Sequence, residues 1–257
     1  MVWLANMGPS HTSEAVILRS RPYGESDKIV TFLAADVGKL TGIAKGAKNS
    51  RRRFANCLDA FTRVRIHFRT RAGAGLAFLE SCDLLEPPGA LADPGKFAYG
   101  SYLIELVDQL TGEAHPVPEL YDLLVEALKE LRDGMATAVF LRVFELRLLH
   151  HAGYAPQLSH CANCQRPVGS AKSAYLDTQH GGIVCVDCRI KGPSLIPIAP
   201  ETLQTLQDVR AVSLRAARTR RLPPAVAAEA AQVMGRLLAL HLTRPLRSIK
   251  LIAALTR

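Results

Sequence analysis

Residues 61–71 read Phe-Thr-Arg-Val-Arg-Ile-His-Phe-Arg-Thr-Arg, so that from position 63 onward a basic side chain stands at every second residue. In an extended strand, successive side chains point to opposite faces. We therefore predict a strand with Val64, Ile66 and Phe68 packed in a core. The opposite face carries the basic residues Arg63, Arg65, His67, Arg69 and Arg71.

Four further segments share this strand character, being short, rich in β-branched and aromatic residues, and separated by turn residues. The predicted strands are 14–20, 28–35, 39–45, 61–70 and 76–84. Five strands of this length form a small closed sheet, for which an OB-type β-barrel is the leading solution. Residues 46–58, between the third and fourth strands, predict a basic loop with a short helical turn.

Helical periodicity replaces the strand pattern after Pro87-Pro88-Gly89. The predicted helices are 96–111, 118–132, 135–151, 200–209, 224–241 and 246–255. The third of these is apolar on nearly all sides, so we expect it to be buried. The predicted fold is α+β and multidomain. Its domains are an OB-fold domain (1–86), a helical domain in two parts (87–158 and 196–257) and a four-cysteine module (159–195).

Two Cys-x2-Cys pairs, Cys161-Ala-Asn-Cys164 and Cys185-Val-Asp-Cys188, interrupt the helical region. Two such pairs provide the four thiolates of a tetrahedral zinc site. We predict one structural Zn²⁺ with these four ligands and a small hairpin between the pairs, as in zinc ribbons. Reduced core cysteines and an iron–sulfur cluster are the alternatives. The remaining cysteines, Cys57 and Cys82, stand alone in the sequence.

Positive charge is concentrated in the first third of the chain. The 257 residues include 32 Lys and Arg against 23 Asp and Glu, a net charge of +9, and residues 39–71 contain ten of these cations and one acid, Asp59. Such a block is typical of a surface that binds a polyanion. The alternative is a solvated strand edge that discourages aggregation. The predicted nucleic-acid contacts are Lys39, Lys45, Lys48, Arg51, Arg52, Arg53, Arg63, Arg65 and Arg69, and the candidates for base stacking are Tyr23, Phe54 and Phe61.

Several sequence motifs of catalytic and nucleotide-binding sites are missing. The sequence has no phosphate-binding P-loop, dinucleotide fingerprint, zinc-protease motif or nucleophile elbow. It therefore predicts no catalytic residues and no enzymatic activity. No apolar run is long enough to span a membrane, and the N-terminal residues lack the pattern of a signal peptide. We expect a cytoplasmic protein.

Residues 14–30 (EAVILRSRPYGESDKIV), Gly38-Lys-Leu-Thr, Ala44-Lys-Gly-Ala and residues 244–252 (RPLRSIKLI) resemble the RecO family of bacterial recombination mediators. The resemblance covers nearly the whole chain, and the cysteine pairs fit its zinc segment. It implies an OB-fold domain, a helical domain and no enzymatic activity. It also implies binding of single- and double-stranded DNA and annealing of complementary strands. The expected partners are RecR, single-stranded DNA-binding protein and, indirectly, the recombinase RecA, in a nucleoid-associated cytoplasmic protein.

Two other classes of function compete with this interpretation. An RNA-binding or ribosome-associated protein with a zinc ribbon and an OB barrel would use the same basic surface. A metal-dependent nuclease would need acids clustered beside that surface, where the sequence offers Asp59 alone. A second basic stretch either extends the DNA surface or receives an acidic partner tail, and it contains Arg210, Arg215, Arg218, Arg220 and Arg221.

Overall fold

The computed structural model describes residues 8–70, 75–169, 173–179, 181–189 and 195–255. The first five strands are β1 (Ser10–Tyr23), β2 (Asp27–Ala34), β3 (Gly38–Ala44), β4 (Arg63–Arg69) and β5 (Ala77–Glu86). They close into a barrel in the order β1-β2-β3-β5-β4. β3 pairs with β5 in parallel, and the other neighbours pair antiparallel. The predicted five-stranded OB-type barrel is confirmed.

The alternation along β4 builds the barrel core. Val64, Ile66 and Phe68 are completely buried, and Phe68 packs edge-on against Phe32 of β2 with ring centroids 5.6 Å apart. The charged side chains of β4 project from the other face, as the period of two requires. Arg71, which would end this row, lies outside the described residues.

A disulfide bond joins Cys57 to Cys82 on β5, and both residues belong to the barrel core. Cys57 lies in the segment of residues 45–62 between β3 and β4, here called the basic loop. This loop contains the expected short helical turn, a 3-10 helix at Ala47–Asn49. The backbone N–H of Cys82 also donates to the carbonyl oxygen of Arg53, at 2.8 Å. The cysteines that stand alone in the sequence thus fasten the basic loop to the barrel.

Seven helices follow among the described residues: α1 (Pro94–Leu110), α2 (Pro118–Asp133), α3 (Ala138–His151), α4 (Pro200–Asp208), α5 (Leu214–Ala217), α6 (Pro224–Ala239) and α7 (Ser248–Leu255). Six match predicted helices to within a few residues, and α5, a single turn, was missed. α3 begins at Ala138 because the hydroxyl of Thr137 accepts the backbone N–H of Phe140 and caps the helix. None of the described helices is long and apolar enough to cross a membrane.

The chain divides into two compact units, Met1–Asp133 with Leu246–Arg257, and Gly134–Pro245. In the first, the carboxylate of Glu105 on α1 accepts the backbone N–H groups of Arg247 and Ser248 and so caps α7. The predicted division into four segments stays a prediction.

The second unit contains a three-stranded sheet with the cysteine pairs around it. Its strands are β6 (Ala174–Asp177), β7 (Gly182–Cys185) and β8 (Leu195–Ile198), in the order β7-β6-β8. β6 and β7 form the hairpin that was predicted between the cysteine pairs. β8 was missed, because its four residues include Pro197 and follow no clear alternation.

Candidate metal centre and nucleic-acid interface

The two cysteine pairs form one cluster. The sulfur atoms of Cys161, Cys164, Cys185 and Cys188 all lie within 4.8 Å of one another, and Sγ of Cys164 is 3.8 Å from Sγ of Cys185. Four sulfurs bound to a tetrahedral zinc ion at 2.3 Å would lie about 3.8 Å apart. The cluster can therefore hold a metal ion, and both its donor atoms and its spacing fit zinc.

Backbone N–H groups prepare the first cysteine pair for a metal. Burial acts to raise the pKa of the Cys161 thiol, but hydrogen bonds from the backbone of Cys164 and Cys185 lower that pKa to about 6. The backbone of Arg166 lowers the pKa of Cys164 in the same way. Hydrogen bonds with the sulfurs of Cys164 and Cys185 instead raise the pKa of Cys188 to about 12. Because the thiolate is the form that binds metal, the first pair is the better prepared of the two.

Arg166 supplies positive charge beside the sulfur cluster. Its interaction with the Cys164 sulfur raises the pKa of the guanidinium, and Nη1 lies 3.3 Å from Oδ2 of Asp187. Four thiolates around a divalent ion carry a formal charge of −2, which a neighbouring cation offsets.

On the barrel, acidic residues of neighbouring strands meet the basic face of β4. Nη2 of Arg63 lies 2.6 Å from Oε2 of Glu14 on β1, and Nη1 lies 2.6 Å from Oε1 of Glu86 on β5. Nε donates to the Tyr121 hydroxyl at 3.3 Å, and this bond, with those to Glu14 and Glu86, raises the pKa of Arg63. The charge of Arg63 is thus compensated within the fold, and its side chain is only 28% exposed.

The other basic side chains of β4 also lie near carboxylates, at different distances. Nε of Arg69 lies 2.6 Å from Oε1 of Glu80. Arg65 is half exposed, at 50%, and its nearest carboxylate, on Glu14, is 3.9 Å away. The acids on this face come from β1 and β5 and are Glu14, Glu80, Asp83 and Glu86. Although residues 39–71 contain few acids, acids from the neighbouring strands interrupt the positive charge on the β4 face. This face is therefore not a continuous positive surface.

Lys39 is directed into α1. Its Nζ donates to the carbonyl oxygen of Asp108 and lies 3.5 Å from Oδ1 of the same residue, with the side chain 12% exposed. An ammonium group near the C-terminus of a helix is favoured by the helix dipole. In this structure Lys39 joins the barrel to α1.

The start of the basic loop is bonded to the first residue of β2 and to the turn that precedes it. Nζ of Lys45 lies 2.9 Å from Oδ2 of Asp27, and Oδ1 of Asp27 accepts the backbone N–H of Gly46 at 2.8 Å. Both contacts lower the pKa of Asp27, and the backbone hydrogen bond from Gly46 has the larger effect. Nζ of Lys48 donates to the carbonyl oxygen of Gly24 at 2.7 Å. Lys48 therefore helps to hold the loop through a carbonyl oxygen, and it forms no ion pair with the residues that the structure describes.

Three consecutive arginines of the loop, Arg51, Arg52 and Arg53, are exposed. The Arg53 guanidinium donates to the carbonyl oxygen of Lys45 at 2.7 Å and lies 5.1 Å from the Phe54 ring. In the described part of the chain, the side chains of Arg51 and Arg52 form no ion pair. Their charges are therefore available to an external anion.

A cleft of about 390 Å³ lies beside these arginines, here called the basic cleft. Lys28, Lys48 and Arg51 contribute to its walls, and among the described lining residues Asp59 is the one acid. The cationic lining suits a phosphate backbone rather than an apolar ligand.

The predicted stacking residues separate by exposure. Phe54 and Phe61 are each only 4% exposed and belong to the protein interior, whereas Tyr23 is 54% exposed.

The second basic stretch belongs to the other compact unit. Its exposed residues are Arg210, Arg215, Arg220 and Arg221.

Comparison with known families assigns both parts of the chain. The family described as Recombination protein O N terminal matches residues 7–88, and the one described as Recombination protein O C terminal matches residues 91–250. The chain belongs to the RecO family. The matched ranges include the barrel, the helices α1 to α6 and all four clustered cysteines.

Three curated RecO relatives match over nearly their whole length. The DNA repair protein RecO of Anaeromyxobacter sp. (strain K) is 38% identical over 232 residues, covering 90% of this chain and 91% of the relative. The DNA repair protein RecO of Syntrophus aciditrophicus is 32% identical over 255 residues, covering 98% of both. That of Myxococcus xanthus is 34% identical over 244 residues, covering 95% and 97%. The chain is thus a DNA repair protein of the RecO family.

Proposed function

We propose that this RecO-family chain is a non-enzymatic recombination mediator that binds single- and double-stranded DNA and anneals complementary strands. The observation that carries the proposal is the exposed charge of Arg51, which lines the basic cleft of an OB-type barrel, and of Arg52 beside it; neither forms an ion pair with a described residue. Contacts of this kind recognise phosphates without reading bases. By shielding phosphates, they also let two complementary strands approach each other.

The intramolecular ion pairs narrow the set of phosphate contacts. Lys48, Arg51, Arg52 and Arg53 form the central group, and Lys28 also lines the basic cleft. Lys45 and Arg65 are secondary contacts, since each lies near a carboxylate. The remaining three cations mainly hold the fold together, because each forms an ion pair within the chain. Lys39 pairs with Asp108 and Arg69 pairs with Glu80. Arg63 pairs with both Glu14 and Glu86.

The resident metal in this proposal is one structural Zn²⁺ bound by the four clustered cysteines. A site whose four positions are all filled by protein sulfurs holds its surroundings together and leaves no position for a substrate. This metal centre would therefore support the second compact unit and take no part in bond chemistry.

The partners in this proposal follow from family membership. They are RecR, single-stranded DNA-binding protein and, through them, the recombinase RecA, which the protein helps to load on coated strands. The place of action is the cytoplasm, at the nucleoid. Addition of the chain and RecR to coated single strands should shorten the lag of recombinase loading, and an unchanged lag would contradict the mediator role.

The DNA contacts are tested by replacing Arg51, Arg52 and Arg53 with Glu and titrating labelled oligonucleotides at several salt concentrations. Loss of three phosphate contacts should weaken binding to every sequence and lower the salt slope for single strands by about 2. The single variant Arg51→Glu is compared with Arg236→Glu, which makes the same charge change on an exposed face of α6. Unchanged affinity and slope in the triple variant would contradict this contact surface.

The same titration separates the competing functions. Preference for a matched RNA strand over the DNA strand would favour an RNA-binding role. Cleavage of the strand in the presence of magnesium would overturn the non-enzymatic assignment.

A further inference from the structure

A second cleft, of about 310 Å³, lies on the outer face of the barrel, here called the aromatic cleft. Residues that are register partners on four adjacent strands form one row across it. Arg21 on β1 is opposite Ile29 on β2, Ile29 is opposite Ile43 on β3, and Ile43 is opposite Phe78 on β5. The strand neighbours of Ile29 and Ile43, such as Val30 and Ala44, point into the barrel core.

The lining of this cleft suits a flat aromatic ligand. Ile29 and Ile43 line it with apolar surface, and its aromatic rings come from the two outer strands of the row, Tyr23 from β1 and Phe78 from β5. Tyr23 is 54% exposed, so its ring presents apolar surface to solvent. Aromatic side chains in this position stack on nucleic acid bases, with little dependence on which base is present.

The charge around the aromatic cleft favours an anionic ligand. Arg21 and Lys45 line it, and none of the lining residues that the structure describes carries a carboxylate. Arg21 is exposed and forms no ion pair in the described part of the chain, while Lys45 is bound to Asp27 at the margin. The complementary ligand therefore combines a planar ring with negative charge, as a nucleotide does.

The aromatic cleft is continuous with the basic loop. Lys45 lines the cleft and is the first residue of that loop, and its carbonyl oxygen accepts the guanidinium of Arg53. The carbonyl oxygen of Gly24, which follows Tyr23, accepts a hydrogen bond from the ammonium group of Lys48. A strand whose phosphates lie along the basic loop can thus place a neighbouring base at Tyr23.

We propose that the aromatic cleft binds an unstacked base of a single strand between Tyr23 and Phe78, while the basic loop contacts the backbone of single strands and duplexes alike. This assignment rests on the proposed function, which it deepens by adding a base-binding site that only an unpaired strand can use. Bases within a duplex are stacked and paired, so they cannot enter the cleft without being extruded.

The test compares Tyr23→Ala with the wild-type chain on three probes of equal length: a thymidine single strand, a single strand of abasic sugar-phosphate units, and a duplex. Loss of one stacking contact should weaken thymidine-strand binding about five-fold or more. Binding of the abasic strand and the duplex should not change, and Tyr23→Phe should restore the affinity. Tyr154→Ala is the matched control, because Tyr154 is 45% exposed and lies in the other compact unit.

A second variant, Phe78→Leu, keeps apolar volume on β5 and removes the ring. It should show the same selective loss, and circular dichroism checks that each variant is folded. Equal loss on all three probes, or no loss on any, would overturn the base-binding assignment while leaving the proposed function in place. A different result would assign the cleft to an acidic peptide. In that case polyglutamate would displace the thymidine strand from the wild-type chain but not from Tyr23→Ala, and Tyr23→Ala would not distinguish among the three DNA probes. A wild-type chain that bound none of the DNA probes would overturn both proposals.

Discussion

Glu14 and Arg63 lie 49 residues apart in the chain and 2.6 Å apart in the barrel, where a carboxylate of β1 meets a guanidinium of β4. Glu86 and Tyr121 complete the set of partners around the same guanidinium. Arg63 therefore contributes to stability, whereas the arginines of the basic loop remain open to ligands. This difference in role can be measured directly.

Arg63→Ala should lower the free energy of unfolding by roughly 1–3 kcal/mol, because two carboxylates and a hydroxyl lose a charged hydrogen-bond partner. Its affinity for DNA should stay close to that of the wild type. Arg52→Ala should do the reverse, weakening DNA binding while changing stability by less than about 0.5 kcal/mol. Urea denaturation and fluorescence anisotropy measure the two quantities. A large affinity loss in Arg63→Ala with unchanged stability would contradict this division of roles.

Replacing both Cys57 and Cys82 with Ala should lower the free energy of unfolding by about 3 kcal/mol, because the unfolded chain loses a cross-link that closes a loop of 25 residues. Reducing the wild-type chain with a phosphine should have a similar effect. The bond itself is checked by counting thiols after denaturation without reductant and with a chelator. Four reactive thiols are expected, and a count of six would contradict the disulfide.

The purified chain should contain about one zinc ion, and Cys164→Ser should lose it. Zinc retention should fall on acidification, since protons compete with the metal for thiolates. For the metal-free protein, a Cys161 pKa lowered to about 6 contributes stability that is present at alkaline pH and lost as the pH falls through about 6. Elemental analysis after dialysis at graded pH measures the first effect, and thermal unfolding in a chelator measures the second. Intact secondary structure with no bound zinc at neutral pH would contradict the metal site.

Gly38→Ala should destabilise the barrel by roughly 2 kcal/mol or more, through a strained backbone and a steric clash. Gly38 has a φ of +78°, and a Cβ atom there would collide with the carbonyl oxygen of His115. The control is Gly235→Ala on α6, where a Cβ meets nothing within 4 Å; that change should raise stability by up to about 1 kcal/mol. Thermal unfolding compares the two variants. Equal melting temperatures would show that the approach of β3 to His115 is not rigid.

Local patterns in the sequence determined most of the strands and helices of this protein and its cysteine cluster. The alternation across residues 61–71 predicted β4 and its buried side chains, and the spacing of the cysteine pairs predicted the sulfur cluster. Apolar stripes predicted six of the seven described helices. Each of these signals is a property of a short segment, since strand and helix periods and a Cys-x2-Cys turn involve residues close together in the chain.

Only the tertiary structure decided which cations remain open to ligands. Counting acids within residues 39–71 missed Glu14, Glu80 and Glu86, because strand register brings them to β4 from elsewhere in the chain. The closure of the barrel likewise joined Cys57 to Cys82 and assembled the aromatic cleft from four strands. The physical reason is that ion pairs, cross-links and clefts depend on distances in space, which barrel topology sets and local periodicity does not encode.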